Sequence, residues 1–429
     1  MSSSVQVRRV EIPVPGVDPL AWLAAQPEQK RGYWADREGD CEVALVGEAD
    51  EIKGGPGDDF HAWSRAVAER LEHAEGDIRY YGGFRFGPPH PTDHAWLPFG
   101  SYRFILPRYE LIRRRGEDSV LATNMVRDAQ GNWPELPNPT LPASLASYVS
   151  SALPRVVARK DEPGAAAWAV GVARALGSME SGSVSKVVLA RRVLLALSDS
   201  VDPLALLHGI RNITGPCYQF CGSHGAGFAF VGASPERLFR RTGRRLDSEA
   251  VAGTRPRGQS DADDLRLESE LRGSAKEAHE HRLVRDRIVH NLEEVSRTVV
   301  SATGPDILKL GRVQHLRTPI QAELLPGVGD AELLARLHPT PATAGEPVAE
   351  ALKLVGLLEP FDRGWYAGPV GWVGRDASEF AVALRCGLVA PRSLVLFAGA
   401  GIVPGSDAES EAREIESKLE PFLRLLNLS

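Results

Sequence analysis

The stretch Gly227–Gly258, GFAFVGASPERLFRRTGRRLDSEAVAGTRPRG, decides the fold. Short runs of Val, Leu, Phe and Ala are cut by tight-turn signals at Gly-Ala-Ser-Pro and Thr-Gly-Arg. Strands joined so closely pair as antiparallel hairpins, because a parallel partner needs a crossover of about a dozen residues or more. The same pattern returns in YAGPVGWVGRDASEFAVALRCGLV (366–389) and SLVLFAGAGIVPG (393–405). Helical periodicity marks FHAWSRAVAERLEHA (60–74), EPGAAAWAVGVARALGSME (162–180), one long helix from Asp261 to Val300, and DAESEAREIESKLEPFLRLLNL (407–428). Strands and helices do not alternate. The expectation is therefore an α+β fold with large antiparallel β-sheets flanked by helices, not a doubly wound one.

The chain has 429 residues, 43% of them hydrophobic and 25% charged, which suffices for a large core. The net charge of −6 argues against a nucleic-acid partner, and no basic run suggests a membrane surface. No apolar stretch approaches the ~20 residues needed to span a bilayer, and the N-terminus lacks a secretory h-region. The four cysteines, Cys41, Cys217, Cys221 and Cys386, form no zinc spacing and read as small buried thiols in a reducing compartment. A cytoplasmic location is expected. The Pro-rich segment NWPELPNPTLPAS (132–144) marks a boundary. Residues 1–150 are expected to add strands and a helix to the sheet core, and 151–429 to form the catalytic region, the two making one compact unit.

Four clusters bear chemistry. Glu277, Glu280 and His281 share a helix face, as do Glu411, Glu414 and Lys418. Two such helices offer oxygen ligands to a hard cation such as Mg²⁺; each glutamate pair alone reads equally as a solvated face. In SKVVLARRVLL (185–195) Lys186 heads an apolar strand, on the face of Val188 and Ala190. Paired with Glu236 at the GASPE junction, it suits base-and-acid work; alone it is a solvated strand end. AGTRPRG (252–258) and AGAGIVPG (398–405) place small residues at bends where backbone N–H groups can approach an anion. His315, Tyr366 and Arg385 are single polar residues in apolar strands. A strand-interior arginine wants a bidentate anion or a structural ion pair.

The order of six motifs carries more than any one of them: KVVLARR, GASPERLF, AGTRPRG, EAHEH, LHPTPATAG and AGAGIVPGS…EAREIESKL. From about Ser183 to Leu425 the chain resembles the chorismate-utilising enzymes. The resemblance implies chorismate as substrate, one Mg²⁺, and a monomer. It implies that Glu280 and Glu414 bind the metal, supported by Glu277 and Glu411. Gly253, Thr254, His315, Ala342, Tyr366, Arg385, Lys418 and the backbone at Gly399 and Gly401 are implied to line the substrate site. The chain departs from the resemblance at KEAHEH, where many relatives have an Asp and an Arg in place of Glu277 and Ala278.

Three positions then sort the branches of that family. Members that deliver ammonia lack a lysine at Lys186. Those with a covalent lysine carry it where this chain has Ala252. Pyruvate-eliminating salicylate synthases tend to carry Thr at Ala342. The pattern is similar to that of isochorismate synthases, with Lys186 as base for water and Glu236 as acid. Salicylate synthase and an anthranilate synthase subunit are the alternatives. RGWYAGPVGW (363–372) resembles menaquinone-branch relatives more than siderophore ones.

Overall fold

Of the strands read from Gly227–Gly258, Arg237–Thr242 and Arg245–Pro256 pair as a hairpin. Ala229–Ser234 instead pairs with Tyr218–Ser223 and Cys386–Ala390 in a different sheet. The chain leaves one sheet for the other at Pro235, which has no N–H to give to a ladder. A computed structural model describes residues 5–27, 30–55, 57–89, 94–128, 130–135, 148, 150–225 and 227–428. Most of the Pro-rich segment 132–144 lies outside the described residues.

Among the described residues the strands assemble into two sheets, of 12 and 10 strands, in which every ladder is antiparallel. Residues before position 130 contribute strands to both sheets. Between the sheets lies an aromatic core that includes Trp34, Trp96, Phe99, Tyr218, Phe230, Trp365 and Phe397. On its outer face the first sheet is covered by helices that include Ala165–Glu180, Pro203–Thr214 and Ala408–Leu425. The second is covered by Phe60–Leu71, Ala275–Glu293 and Asp330–Leu337. The layering is helix, sheet, sheet, helix, so both faces of each sheet bury apolar side chains.

The long helix expected over 261–300 is instead two helices, Asp261–Gly273 and Ala275–Glu293, followed by strand Ser296–Ser301. Ser274 breaks it: its backbone is extended and its hydroxyl accepts from Glu277 N–H. A serine cap satisfies one of the orphan N–H groups of a new helix. The strand then uses Thr298, Val299 and Val300, whose branched Cβ favours a pleated surface. A second correction concerns the small residues of AGTRPRG and AGAGIVPG. Gly253 sits on a β-bulge inside Arg245–Pro256, and Gly399 and Gly401 lie within strand Ser393–Ile402, not at bends.

Cys217, Cys221 and Cys386 are buried free thiols, and Cys41 is partly buried. Among the described residues no helix is long and apolar enough to cross a membrane.

Candidate active site

Strand Lys186–Leu197 pairs with Ser393–Ile402 in a register that sets Val188 opposite Gly401 and Ala190 opposite Gly399. Directly opposed residues share a face. Lys186, Val188 and Ala190 thus stand on one surface with two glycines, and the missing side chains leave a hollow. A Cβ on Gly401 would come within 2.8 Å of Glu280 Oε1 and 3.1 Å of Lys186 Cε. The strand end is not solvated: Lys186 is 0% exposed.

The chain crosses from the first sheet to the second at Pro235–Glu236, and back again through Ala383–Arg385. Both polar residues therefore sit where the sheets part. Arg385 lies between strands Ala377–Val382 and Cys386–Ala390, not inside one, with φ of 45°. That left-handed backbone is uncommon for a non-glycine residue and aims the side chain away from its neighbours' alternation. Tyr366 is likewise outside the strands, in the turn before Pro369–Val373, its ring stacked on Phe397 at 5.4 Å. His315 is in a strand, Val313–Leu324, opposite Thr254.

These elements line one cavity, partly open to solvent, with about 780 Å³ of empty space counted out to its mouth. Of the residues singled out from sequence, Glu236, Gly253, Thr254, Glu280, His315, Ala342, Tyr366, Arg385, Gly399, Gly401, Glu414 and Lys418 line it. Lys186, Glu277 and Glu411 do not. Lys186 reaches the site through its ammonium, 2.8 Å from Glu280 Oε1. Glu277 lies behind the bulge, accepting from Thr254 N–H at 3.2 Å and from Arg255 at 2.7 Å. Gly253 has φ of 78°, and a Cβ there would press on Glu277 at 3.2 Å. Glu411 pairs with Lys276 at 3.0 Å. His281, on helix Ala275–Glu293 with Glu277 and Glu280, bonds Thr318 at 2.7 Å and stays out of the cavity. Phe397 and Thr343 also line it but were not singled out. Phe397 was within reach, standing two residues before Gly399 on the same strand face.

The charges are arranged unevenly. Lys418 Nζ is 2.7 Å from Glu414 and 2.8 Å from the Gly399 carbonyl. Burial alone would raise the Glu280 carboxyl, but Lys186, Lys418 and Lys276 together hold it below its usual range. Glu236 is different: no hydrogen bond or ion pair reaches its carboxyl among the described residues. Burial, reinforced by the nearby Glu249 charge, pushes it up to about 8 against the opposing pull of Lys186, Lys418 and Arg37.

Burial, then Arg385 and Lys418, push His315 well below its usual value, so its ring is neutral. Arg385 Nη2 lies 3.0 Å from His315 Nε2, and a guanidinium can only donate. The ring proton is therefore on Nδ1, which faces the Gly253 carbonyl at 3.3 Å and Thr254 Oγ1 at 3.1 Å. Arg385 has no acidic partner among the described residues. Burial lowers its pKa, so an anion brought to it would relieve a desolvated charge.

Among the described residues no three His, Cys, Asp or Glu side chains converge as a preformed metal centre. Glu280 and Glu414 nonetheless fit a hard cation that keeps waters and borrows ligand oxygens, since Mg²⁺ is commonly held by one or two carboxylates. The space that Gly401 leaves beside Glu280 agrees with that fit.

The family model for chorismate binding enzymes matches residues 2–427. The salicylate biosynthesis isochorismate synthase of Pseudomonas aeruginosa is 34% identical, over 96% of this chain and 89% of that protein. Isochorismate synthase MenF of Escherichia coli (strain K12) is 31% identical, over 98% and 94%. A plant relative, isochorismate synthase 2 of Arabidopsis thaliana, is 36% identical over 84% of this chain, which spans only 66% of the plant protein's length. The structure of MenF, the menaquinone-specific isochorismate synthase from Escherichia coli, superposes with a TM-score of 0.84 at 30% identity, covering 98% of this chain and 94% of that one. Anthranilate synthase component I from Streptococcus pneumoniae shares the fold, with a TM-score of 0.73 at 19% identity over 89% and 91% of the two chains. With a cavity built at the junction of two antiparallel sheets and a family match over nearly its whole length, the chain belongs to the chorismate binding enzymes.

Proposed function

We propose that the protein is an isochorismate synthase, an isomerase that converts chorismate to isochorismate. The observation that carries this reading is Glu236: a buried carboxyl, without a hydrogen-bond or ion-pair partner among the described residues and pushed up to about 8, in the same cavity that receives the Lys186–Glu280 pair. A protonated carboxyl can donate near neutral pH.

Lys186 would take a proton from a water attacking C2 of the ring. Glu236 would give its proton to the C4 hydroxyl, which leaves as water while the ring double bonds shift. One water enters and one departs, so substrate and product are isomers. Lys186 must first lose a proton to offer a lone pair, and as a neutral amine it can still donate to Glu280. Arg385, Lys418, Tyr366 and the backbone at Gly399 and Gly401 would hold the substrate's two carboxylates. Glu280 and Glu414 would hold Mg²⁺, which supplies positive charge to the C1 carboxylate. Glu277 and Glu411 support them from behind, spending their charge on Arg255 and Lys276.

Purified protein with chorismate and Mg²⁺ should yield isochorismate without pyruvate, and EDTA should stop turnover until Mg²⁺ is restored. Pyruvate detected through lactate dehydrogenase, with salicylate as main product, would replace this reading with a salicylate synthase. The Ala342 position and the Arg363–Trp372 segment support an isomerase of the menaquinone branch. Complementation of a strain lacking that branch's synthase tests the pathway.

Arg385→Gln should raise KM for chorismate by roughly 30-fold or more, since losing a buried charge-assisted contact costs about 2 kcal/mol at least. Initial-rate kinetics check this, and an unchanged KM would remove Arg385 from the carboxylate site.

A further inference from the structure

Two buried residues outside the cavity hold the turn that carries Glu236. Arg37 follows strand Arg31–Ala35 near the N-terminus. Its guanidinium forks onto both oxygens of Glu249, with Nη2 2.9 Å from Oε2. Nη1 also donates to the Pro235 carbonyl at 2.6 Å. Glu249 Oε1 in turn accepts from the backbone N–H of Arg237 at 3.0 Å. The pair therefore grips the carbonyl just before Glu236 and the N–H just after it. Glu236's own N–H donates to Ser234 Oγ at 3.3 Å, and its carbonyl accepts from Val382 N–H at 3.1 Å. The side chains of Arg37 and Glu249 are 4% and 3% exposed.

We infer that Arg37 and Glu249 form a positioning clamp for the general acid, so that a residue from the N-terminal strands serves the chemistry of the C-terminal ones. The inference rests on the acid role proposed for Glu236. Stability alone gives little reason for a buried ion pair, which apolar residues of similar volume often replace without loss. Geometry does give one. A planar guanidinium sets one nitrogen on each oxygen of Glu249 and keeps an N–H for the Pro235 carbonyl, a side-by-side geometry that the single nitrogen of a lysine does not reproduce. The groups facing Glu236 are Glu249, which favours its protonated form, and Lys186, Lys418 and Arg37, which oppose it, with the Tyr366 phenol nearby. Removing Glu249 would leave only the opposing charges.

The test uses the full chain with chorismate and Mg²⁺, and the variants Arg37→Lys, Glu249→Gln and the double Arg37→Gln/Glu249→Gln. Arg37→Lys should stay folded by circular dichroism and lose about 10- to 100-fold in kcat, the scale expected when a reacting group is misplaced by ~1 Å. Its KM should remain within about threefold, because the substrate contacts are intact. Glu249→Gln should move the alkaline limb of the kcat/KM profile to lower pH, a change that loss of packing alone would not produce. The double variant leaves no orphaned charge, so it carries the test if a single glutamine variant fails to fold. Folded variants with kcat within about twofold of wild type, a loss confined to KM, or an unmoved limb would each overturn the clamp. Wild-type protein without any turnover to isochorismate would overturn the functional reading itself, and the clamp with it.

Discussion

Lys186→Ala is expected to lower kcat for chorismate by about 10²- to 10⁴-fold, the usual share of a general base. The side chain is buried, enters from the head of its strand, and reaches the cavity beside Gly401 with its ammonium on Glu280. No other lysine is placed to substitute. Lys418, the remaining lysine at the cavity, is tied to Glu414 and the Gly399 carbonyl. The change also leaves Glu280 without its ammonium, and breaking a buried pair by removing one partner costs about 3–5 kcal/mol. The Glu280 side chain is 16% exposed, so the lower end of that range applies. Thermal melts should therefore show a modest fall in Tm beside a large fall in rate. Lys186→Gln, which can still donate to Glu280, should recover stability but not turnover. A folded Lys186→Ala protein that isomerises chorismate at the wild-type rate would remove the lysine from the mechanism.

Glu236→Gln is expected to have a comparable effect, about 10²- to 10⁴-fold, because an amide of the same shape cannot protonate a departing hydroxyl. The pH dependence sharpens the test. Glu236 is active as the neutral acid and titrates at about 8. Its protonated fraction is full at pH 6 and falls as pH rises through about 8. kcat/KM should therefore fall about tenfold per pH unit above that point. Bound Mg²⁺ favours the carboxylate and would place the limb lower. In Glu236→Gln the residual rate should have no such limb. If the limb survives the substitution, another group is the acid.

Much of the site could be read in the sequence because its parts are local. GASPE announces a sharp strand junction whichever partners the strands take. The i, i+3 spacing of Glu277 with Glu280, and of Glu411 with Glu414, puts each pair on one helix face in any fold. What could not be read depends on partners distant in the chain. Nothing around Arg37 signals that it reaches Pro235 and Glu249, about 200 residues on. The division of the glutamates into cavity-lining and supporting ones came from the family resemblance, and helix periodicity alone cannot make it. The single helix expected over 261–300 shows the opposite failure. Ser274 and Glu277 stand at cap spacing, but the charged pattern runs on through them and masks the stop. Arg385 and Tyr366 look like strand residues because their neighbours are apolar. Arg385 leaves the ladder where the chain passes from one sheet to the other, and Tyr366 sits in the turn between helix Val348–Leu358 and strand Pro369–Val373.

The register between Lys186–Leu197 and Ser393–Ile402 has a consequence for how preparations of this protein behave. Side chains on a strand change face at every residue, so a slip of one position would turn Lys186 away from the hollow and present Val187 in its place. A misregistered molecule would not be a slow catalyst but an inert one. Specific activity per mole of purified chain is thus a direct gauge of folding fidelity, and heterogeneity between batches should show as a changed active fraction at constant KM.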